Sequence, residues 1–169
     1  YRQGGHRPTV TDADLTLGYL NPGNFAGGTM SLDDAGAAAG LERDIGTPQG
    51  RTTLQAAWTV HDVINETMAA AVRMHVTERG GNPEAATMVA FGGAGPVHAY
   101  NLARKLHIQK LIVPLRAGVL SALGLLVAPP AYDIVRTYKA PIRTLDADDI
   151  TGQMDAMATE IETLLDGIE

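Results

Sequence analysis

The chain has 169 residues, ordinary apolar content at 45%, no cysteine and a formal net charge of −6. That length supports one domain with a core. An acidic chain without a basic block carries no nucleic-acid footprint, and the lack of cysteine removes disulfides, thiolate nucleophiles and thiolate metal sites. The longest apolar stretch, Gly118 to Ala131, is broken by glycine and ended by proline, too short to span a bilayer. No membrane or nucleic-acid partner is therefore expected, and with the polar first residues the reading is cytoplasmic.

The chain opens in a Gly/Pro loop, residues 1–10. It starts at Tyr1 and stops at "LLDGIE", so a piece of something larger is expected, either a fragment or a processed subunit. "TDADLTLGYL" predicts a short helix over Asp12 to Leu20, with Thr11 as N-cap and Asp14 three residues on. In "SLDDAGAAAGLERDIG" the same logic makes Ser31 the cap, places Asp34 at N3 and gives Gly46 the left-handed terminal position. The longest element spans Leu54 to Arg79 and stops at Gly80-Gly81. Its polar stripe of Gln55, Thr59, Asp62, Glu66 and Arg73 is narrow, so the rest of the circumference is expected to pack on several sides as the central helix.

The pattern then changes. "TMVAF" and "KLIVP" are short apolar runs that read as buried strands, with the helix "VHAYNLARKLH" between them. Strand, helix, strand over some thirty residues makes a right-handed βαβ unit with parallel strands. "GVLSALGLLV" reads as a short apolar helix and "YDIVRTYKAPIRTL" as an edge strand. A final amphipathic helix carries the stripe Ile150, Met154, Met157, Ile161, Leu164 and Ile168, a docking face. The division expected is 1–145 for the main domain and 146–169 for this helix.

The feature closest to chemistry is the loop between "TMVAF" and its helix. Gly92, Gly93, Ala94 and Gly95 precede Pro96, which sits where the first helical residue belongs and has no N–H to lose there. Glycines let backbone approach a ligand, and a helix N-terminus offers free N–H groups and partial positive charge. The loop lies at the C-terminal end of a parallel strand, the usual ligand edge of an open α/β sheet. It matches neither G-x-G-x-x-G nor the Walker loop. Two readings stand: a nucleotide contact, or a tight turn whose glycines serve packing.

His98, in the first turn of that helix, either meets the ligand or is a partly buried histidine bonded to backbone. His61 and Asn65 share an apolar helix face and must find partners, in the protein or in a ligand. Asp12 and Asp14 form a D-x-D that could hold Mg²⁺ through waters; they equally suit a capping box and the helix dipole. The 5 histidines show no H-x-x-x-H spacing, so no metal site is assigned.

Five segments, "GGHRPTVTDADLTLGYLNPGNFAGGTMSLD", "NETMAAAVR", "MVAFGGAGPVHAYNLARKL", "IVPLRAGVLSALGLL" and "DIVRT", resemble in order the hydantoinase A / 5-oxoprolinase family. That family comprises ATP-dependent hydantoinases and 5-oxoprolinases together with subunits of acetone and acetophenone carboxylases. The resemblance covers at least Gly4 to Thr137. It implies an α/β ATPase core like that of actin and the sugar kinases, of which this chain would be part of the second lobe, helix-rich with a small mostly parallel sheet. It implies ATP and Mg²⁺ as cofactors of the complete protein. ATP would phosphorylate the carbonyl oxygen of a cyclic amide or ketone and so create a leaving group.

The family's "FGGAGP" is its adenosine-side segment, which makes Gly92, Gly93, Ala94, Gly95 and Pro96, with His98 beside them, nucleotide-contact candidates. The family's D-x-G-G-T phosphate loop, which helps position Mg²⁺, is not in this sequence. The resemblance thus implies a hydrolase of hydantoinase, N-methylhydantoinase or 5-oxoprolinase type, inactive in this part alone. It also implies the rest of the protein or another subunit as partner, in an oligomer. A ketone carboxylase subunit and a non-catalytic assembly module are the alternatives. Asp14 stands where the family usually has Asn, and Pro129 where an Asp often follows.

Overall fold

The computed structural model describes residues 4–167. The chain divides between Ala122 and Leu123 into two compact units.

The first unit begins with α1 (Val10–Thr16), capped by Thr9. The Asp12 carboxylate accepts from the Thr9 N–H at 2.6 Å and the Thr9 hydroxyl at 2.7 Å. The capping box therefore uses Thr9 and Asp12, two residues earlier than the expected Thr11 and Asp14. Both pairs have T-x-x-D spacing; the earlier frame leaves Asp14 in the helix interior, turned inward and only 4% exposed. The next helix, α2 (Asp34–Leu41), is capped by Asp33 rather than Ser31, its carboxylate accepting from the Gly36 N–H at 3.0 Å. Gly46 does not end it. The chain continues through a wide π turn (Glu42–Gly46) and the single turn α3 (Thr47–Gln49), and the left-handed residue is Gly50 at φ 61°. Gly46 is right-handed instead, and a Cβ there would lie 3.0 Å from the Arg51 carbonyl oxygen.

The long helix α4 (Thr53–Glu78) is closed at its start by a Thr52/Gln55 capping box. Its buried side chains are Ala56, Ala57, His61, Asn65 and Ala69, so the inward stripe runs 57, 61, 65, 69 at the four-residue spacing of one helix face. Leu54, Trp58, Val63 and Met74 are exposed. The expectation of packing on several sides is corrected: α1, α2 and α5 cover one face of α4 and leave its large apolar groups outside. The core is built on small residues. Ala13, Leu41 and Ala57 pack with Leu17, Ile45 and Val60, while Leu15, Leu32 and Ala37 pack with Leu20 and Phe25.

The βαβ unit follows. Strands β1 (Thr87–Val89) and β2 (Lys110–Ile112) are parallel, in the register Thr87 to Lys110, Met88 to Leu111 and Val89 to Ile112. The crossover between them is α5 (Gly95–Lys105). Its far end is fastened to α4, where the Lys105 ammonium reaches Asp62 at 2.8 Å and Glu66 at 3.2 Å. Arg73 donates to the Lys105 carbonyl at 3.1 Å. The helix-rich α/β class with a small parallel sheet is as expected.

Beyond a short 3-10 turn lies α6 (Leu120–Val127), the expected apolar helix, with Leu125 and Leu126 exposed. In the second unit, residues 132–145 form no strand. The alternating pattern is present, yet no neighbouring strand among the described residues offers a ladder, and a lone strand leaves its polar backbone unpaired. Last comes α7 (Ala147–Asp166), capped by Asp146. Along it Ile150, Met157, Ile161 and Leu165 are half-buried, whereas Met154 and Leu164 are exposed. The half-buried stripe thus takes Leu165 in place of Leu164; Ile168 lies outside the described residues. Among the described residues no helix is long and apolar enough to cross a membrane.

Candidate functional site

The glycine loop keeps its own shape. The strand ends at Val89, residues 92–94 bend, and α5 begins at Gly95 with Pro96 next, one place later than expected. Ala94 is the N-cap and supplies no side-chain hydrogen bond, so the helix start relies on other anchors. The Gly92 N–H donates to the Ala117 carbonyl at 2.8 Å, pinning the loop to the turn after β2.

The glycines differ in why they are glycine. Gly92 has φ 89°, a conformation that disfavours any L side chain. Gly93 and Gly95 have ordinary φ values, and a Cβ built on either would meet nothing within 4 Å. Neither turn geometry nor packing within this chain requires glycine at 93 or 95. The tight-turn reading therefore accounts for one glycine of three, Gly92, through its backbone conformation. Gly93, Ala94 and Gly95 are exposed, as an open cradle would be.

His98 does not face that cradle. It is 8% exposed and turns inward, against a cluster assembled from three helices. Asp14 comes from α1, His61 from α4 and His98 from α5. The Asp14 Oδ1 is 2.7 Å from His61 Nδ1, and its Oδ2 is 3.4 Å from His98 Nε2. The two imidazoles stack, with centroids 4.8 Å apart and planes 18° from parallel. Tyr19 and Trp58 close on His61 with centroids at 5.1 and 5.7 Å. Asn101, one turn beyond His98, places its Nδ2 3.1 Å from His61 Nε2. Asn65 donates to the His61 carbonyl at 2.8 Å.

This network assigns the protons. A carboxylate only accepts, so the nitrogens facing Asp14 carry hydrogen: Nδ1 of His61 and Nε2 of His98. In that tautomer His61 Nε2 carries no hydrogen and can accept from the Asn101 amide. Burial holds the His98 imidazole below its usual range; Asp14 opposes the shift and His61 adds to it. His98 Nδ1 is buried without a partner, as are Asn65 Oδ1 and Thr16 Oγ1.

Asp14, His61 and His98 are also the residues that could hold a metal ion, their ligand atoms lying within 4.8 Å of one another. Two ligands about 2.1 Å from a tetrahedral ion sit roughly 3.4 Å apart. The 2.7 Å contact is instead hydrogen-bond length, so the pair as built shares a proton, and a cation would have to spread it. The D-x-D pair does not act as a unit. Asp12 is spent on its cap and Asp14 faces the buried histidines, so neither is poised for Mg²⁺. Of the residues singled out from sequence, Gly92 to Pro96 come together at the loop, and Asp14, His61, Asn65 and His98 come together behind it. Asn101 and Tyr19 were missed; the three-residue spacing of His98 and Asn101 on α5 was the signal available for the first.

Comparison with known proteins agrees with the family expected from the motifs. The family model described as Hydantoinase/oxoprolinase matches residues 1–134. The chain is 41% identical over 139 residues to the acetophenone carboxylase gamma subunit of Aromatoleum aromaticum, covering 82% of this chain and 18% of that one. A nucleotide-free structure of acetone carboxylase, from work on ATP-dependent acetone carboxylation, superposes with a TM-score of 0.70 at 28% identity, covering 97% of this chain and 24% of the other. The crystal structure of ATP-dependent caprolactamase from Pseudomonas jessenii gives 0.67 at 34% identity, covering 73% and 18%. The chain thus spans between about a tenth and about a fifth of the length of the curated relatives it matches.

Proposed function

We propose, from the premise that this chain belongs to the hydantoinase/oxoprolinase family, that it supplies the adenosine-side wall of the nucleotide site in an ATP-dependent cyclic-amide hydrolase. The observation that carries this reading is the pair Gly93 and Gly95, whose missing side chains neither the turn nor the packing of the chain accounts for. A ligand lying against the backbone does account for them. Gly92 to Pro96 are the contact residues in this reading, and His98 supports them from behind. The strand-end position and the uncapped start of α5 fit the sugar and base end of a nucleotide.

The phosphates and Mg²⁺ are held by other parts of the complete protein, because the acidic side chains on α1 are already engaged. Chemistry at the substrate belongs there too: ATP activates the amide oxygen, and hydrolysis follows. The setting is cytoplasmic, where ATP is available.

The test is a titration of the chain with a non-hydrolysable ATP analogue while following backbone amides. Shifts confined to residues 92–97, together with no ATP hydrolysis by the chain alone, are expected. Silence of those amides at millimolar ligand sinks the nucleotide reading and leaves an assembly module. A second reading keeps the site and changes the reaction to ketone carboxylation; the likeness to a carboxylase subunit favours it. Activity of the complete protein that needs bicarbonate would decide for the carboxylase.

A further inference from the structure

We propose that Asp14 is a positioning residue for the glycine loop: its carboxylate brackets His61 and His98 and thereby fixes where α5 begins. The functional consequence rests on the nucleotide reading of that loop; the positional claim does not.

The two ends of α5 are fastened differently. The C-terminal end is held at the surface, by Lys105 with Asp62 and Glu66 and by Arg73 on the Lys105 carbonyl. The N-terminal end has no side-chain cap. Its anchors are the Gly92 N–H on the Ala117 carbonyl, which precedes the helix, and the His98 imidazole, three residues after Gly95. His98 is therefore the side chain through which the first turn of α5 is registered against α1 and α4. What it is registered to is Asp14.

A carboxylate is an expensive way to fill a core. Replacing a buried polar cluster by apolar groups of equal volume is often neutral or stabilising, so packing alone does not call for one here. A carboxylate does what an apolar group cannot. It presents two acceptors in a fixed plane, and at this site each faces a different imidazole, at 2.7 and 3.4 Å. That arrangement fixes both tautomers. The ring of His61, closed in by Tyr19, Trp58 and Asn101, cannot turn away. His98 then stacks on a ring whose position is already set. The chain of constraint runs from α1 through His61 to His98 and so to the amides that open the cradle.

The experiment is hydrogen exchange, read peptide by peptide, in the complete protein carrying this chain, with Asp14→Ala, Asp14→Asn and His98→Ala compared with wild type in the absence of nucleotide. Asp14→Ala is expected to speed exchange about tenfold over residues 92–99 and to leave α4 residues 70–78 within about twofold. Asp14→Asn, which keeps a carbonyl for His61 but sets an amide donor against the His98 Nε2–H, is expected to speed exchange over residues 92–99 as Asp14→Ala does. His98→Ala matches Asp14→Ala, and the double variant is no worse than either alone.

Equal acceleration in every peptide, or none over 92–99, overturns the proposal; so does an additive double variant. Should Asp14→Ala fail to fold, His98→Ala carries the same test, since it leaves the Asp14–His61 bond in place. A final arm adds the ATP analogue to the wild type. If the analogue fails to protect residues 92–97 while the variants behave as expected, the nucleotide reading falls and the positioning role stands.

Discussion

Asp14 Oδ1 and His61 Nδ1 meet at 2.7 Å across 47 residues of sequence, and the contact is buried on both sides. It joins α1 to α4 at the middle of the inward stripe of the long helix. Removing the imidazole takes away the shorter contact of the carboxylate and leaves it only His98 Nε2, at 3.4 Å. His61→Ala is expected to cost about 3 kcal/mol, the range seen when a buried charge loses a hydrogen-bond partner. Urea unfolding of variant and wild type measures it; a loss below a few tenths would mean water replaces the ring without penalty.

The glycines of the loop separate conformation from contact. Gly92→Ala forces a side chain into φ 89° and is expected to destabilise the fold by about 1–2 kcal/mol. Gly93→Ala adds a methyl to open space at ordinary φ and is expected to leave the melting temperature unchanged. On the nucleotide reading the same variant should weaken binding, because the methyl would stand on the face which that reading gives to the ligand. Melting curves and an analogue titration read the two effects separately. A Gly93→Ala chain that binds nucleotide like wild type would remove the main support for the cradle.

Stability should depend on pH through His98. Burial depresses its pKa below the ordinary histidine value, Asp14 partly offsetting and His61 reinforcing the effect. The unfolded chain therefore binds the proton more readily than the folded one. The contribution is fully present above the unfolded histidine pKa, about 6.5, and is lost as pH falls through the lower folded value. Unfolding free energy should decline on acidification below neutrality, and His98→Gln should flatten that slope. An unchanged slope in His98→Gln would assign the dependence to another group.

The outer face of α4 makes a prediction about assembly. Met74 is 62% exposed and makes little of this unit's core. Met74→Lys is expected to change the stability of the isolated chain by no more than about 0.5 kcal/mol. If the rest of the complete protein covers this face, the same change lowers its yield and melting temperature sharply. Comparing the two settings tells a solvent-facing methionine from an interface one.

Much of the fold was legible because it rests on short-range rules. The length of α4, its stop at Gly80, the two apolar strands and the glycine loop between them all follow from periodicity and from the conformations open to Gly and Pro. Helix starts were less legible, since Thr9 with Asp12 and Thr11 with Asp14 obey one spacing and only packing chooses between them. The supposed strand in 132–145 failed for the same kind of reason: alternation describes a strand, but a ladder needs a neighbour.

By itself the sequence determined the family, the loop and the helices that flank it, because these lie in contiguous residues whose backbone preferences are local. Only tertiary structure decided that Asp14, His61 and His98 form one cluster and that His98 turns away from the cradle. Those facts depend on how three helices cross, and the side chains that meet there are 37, 47 and 84 residues apart along the chain, beyond the reach of any spacing rule.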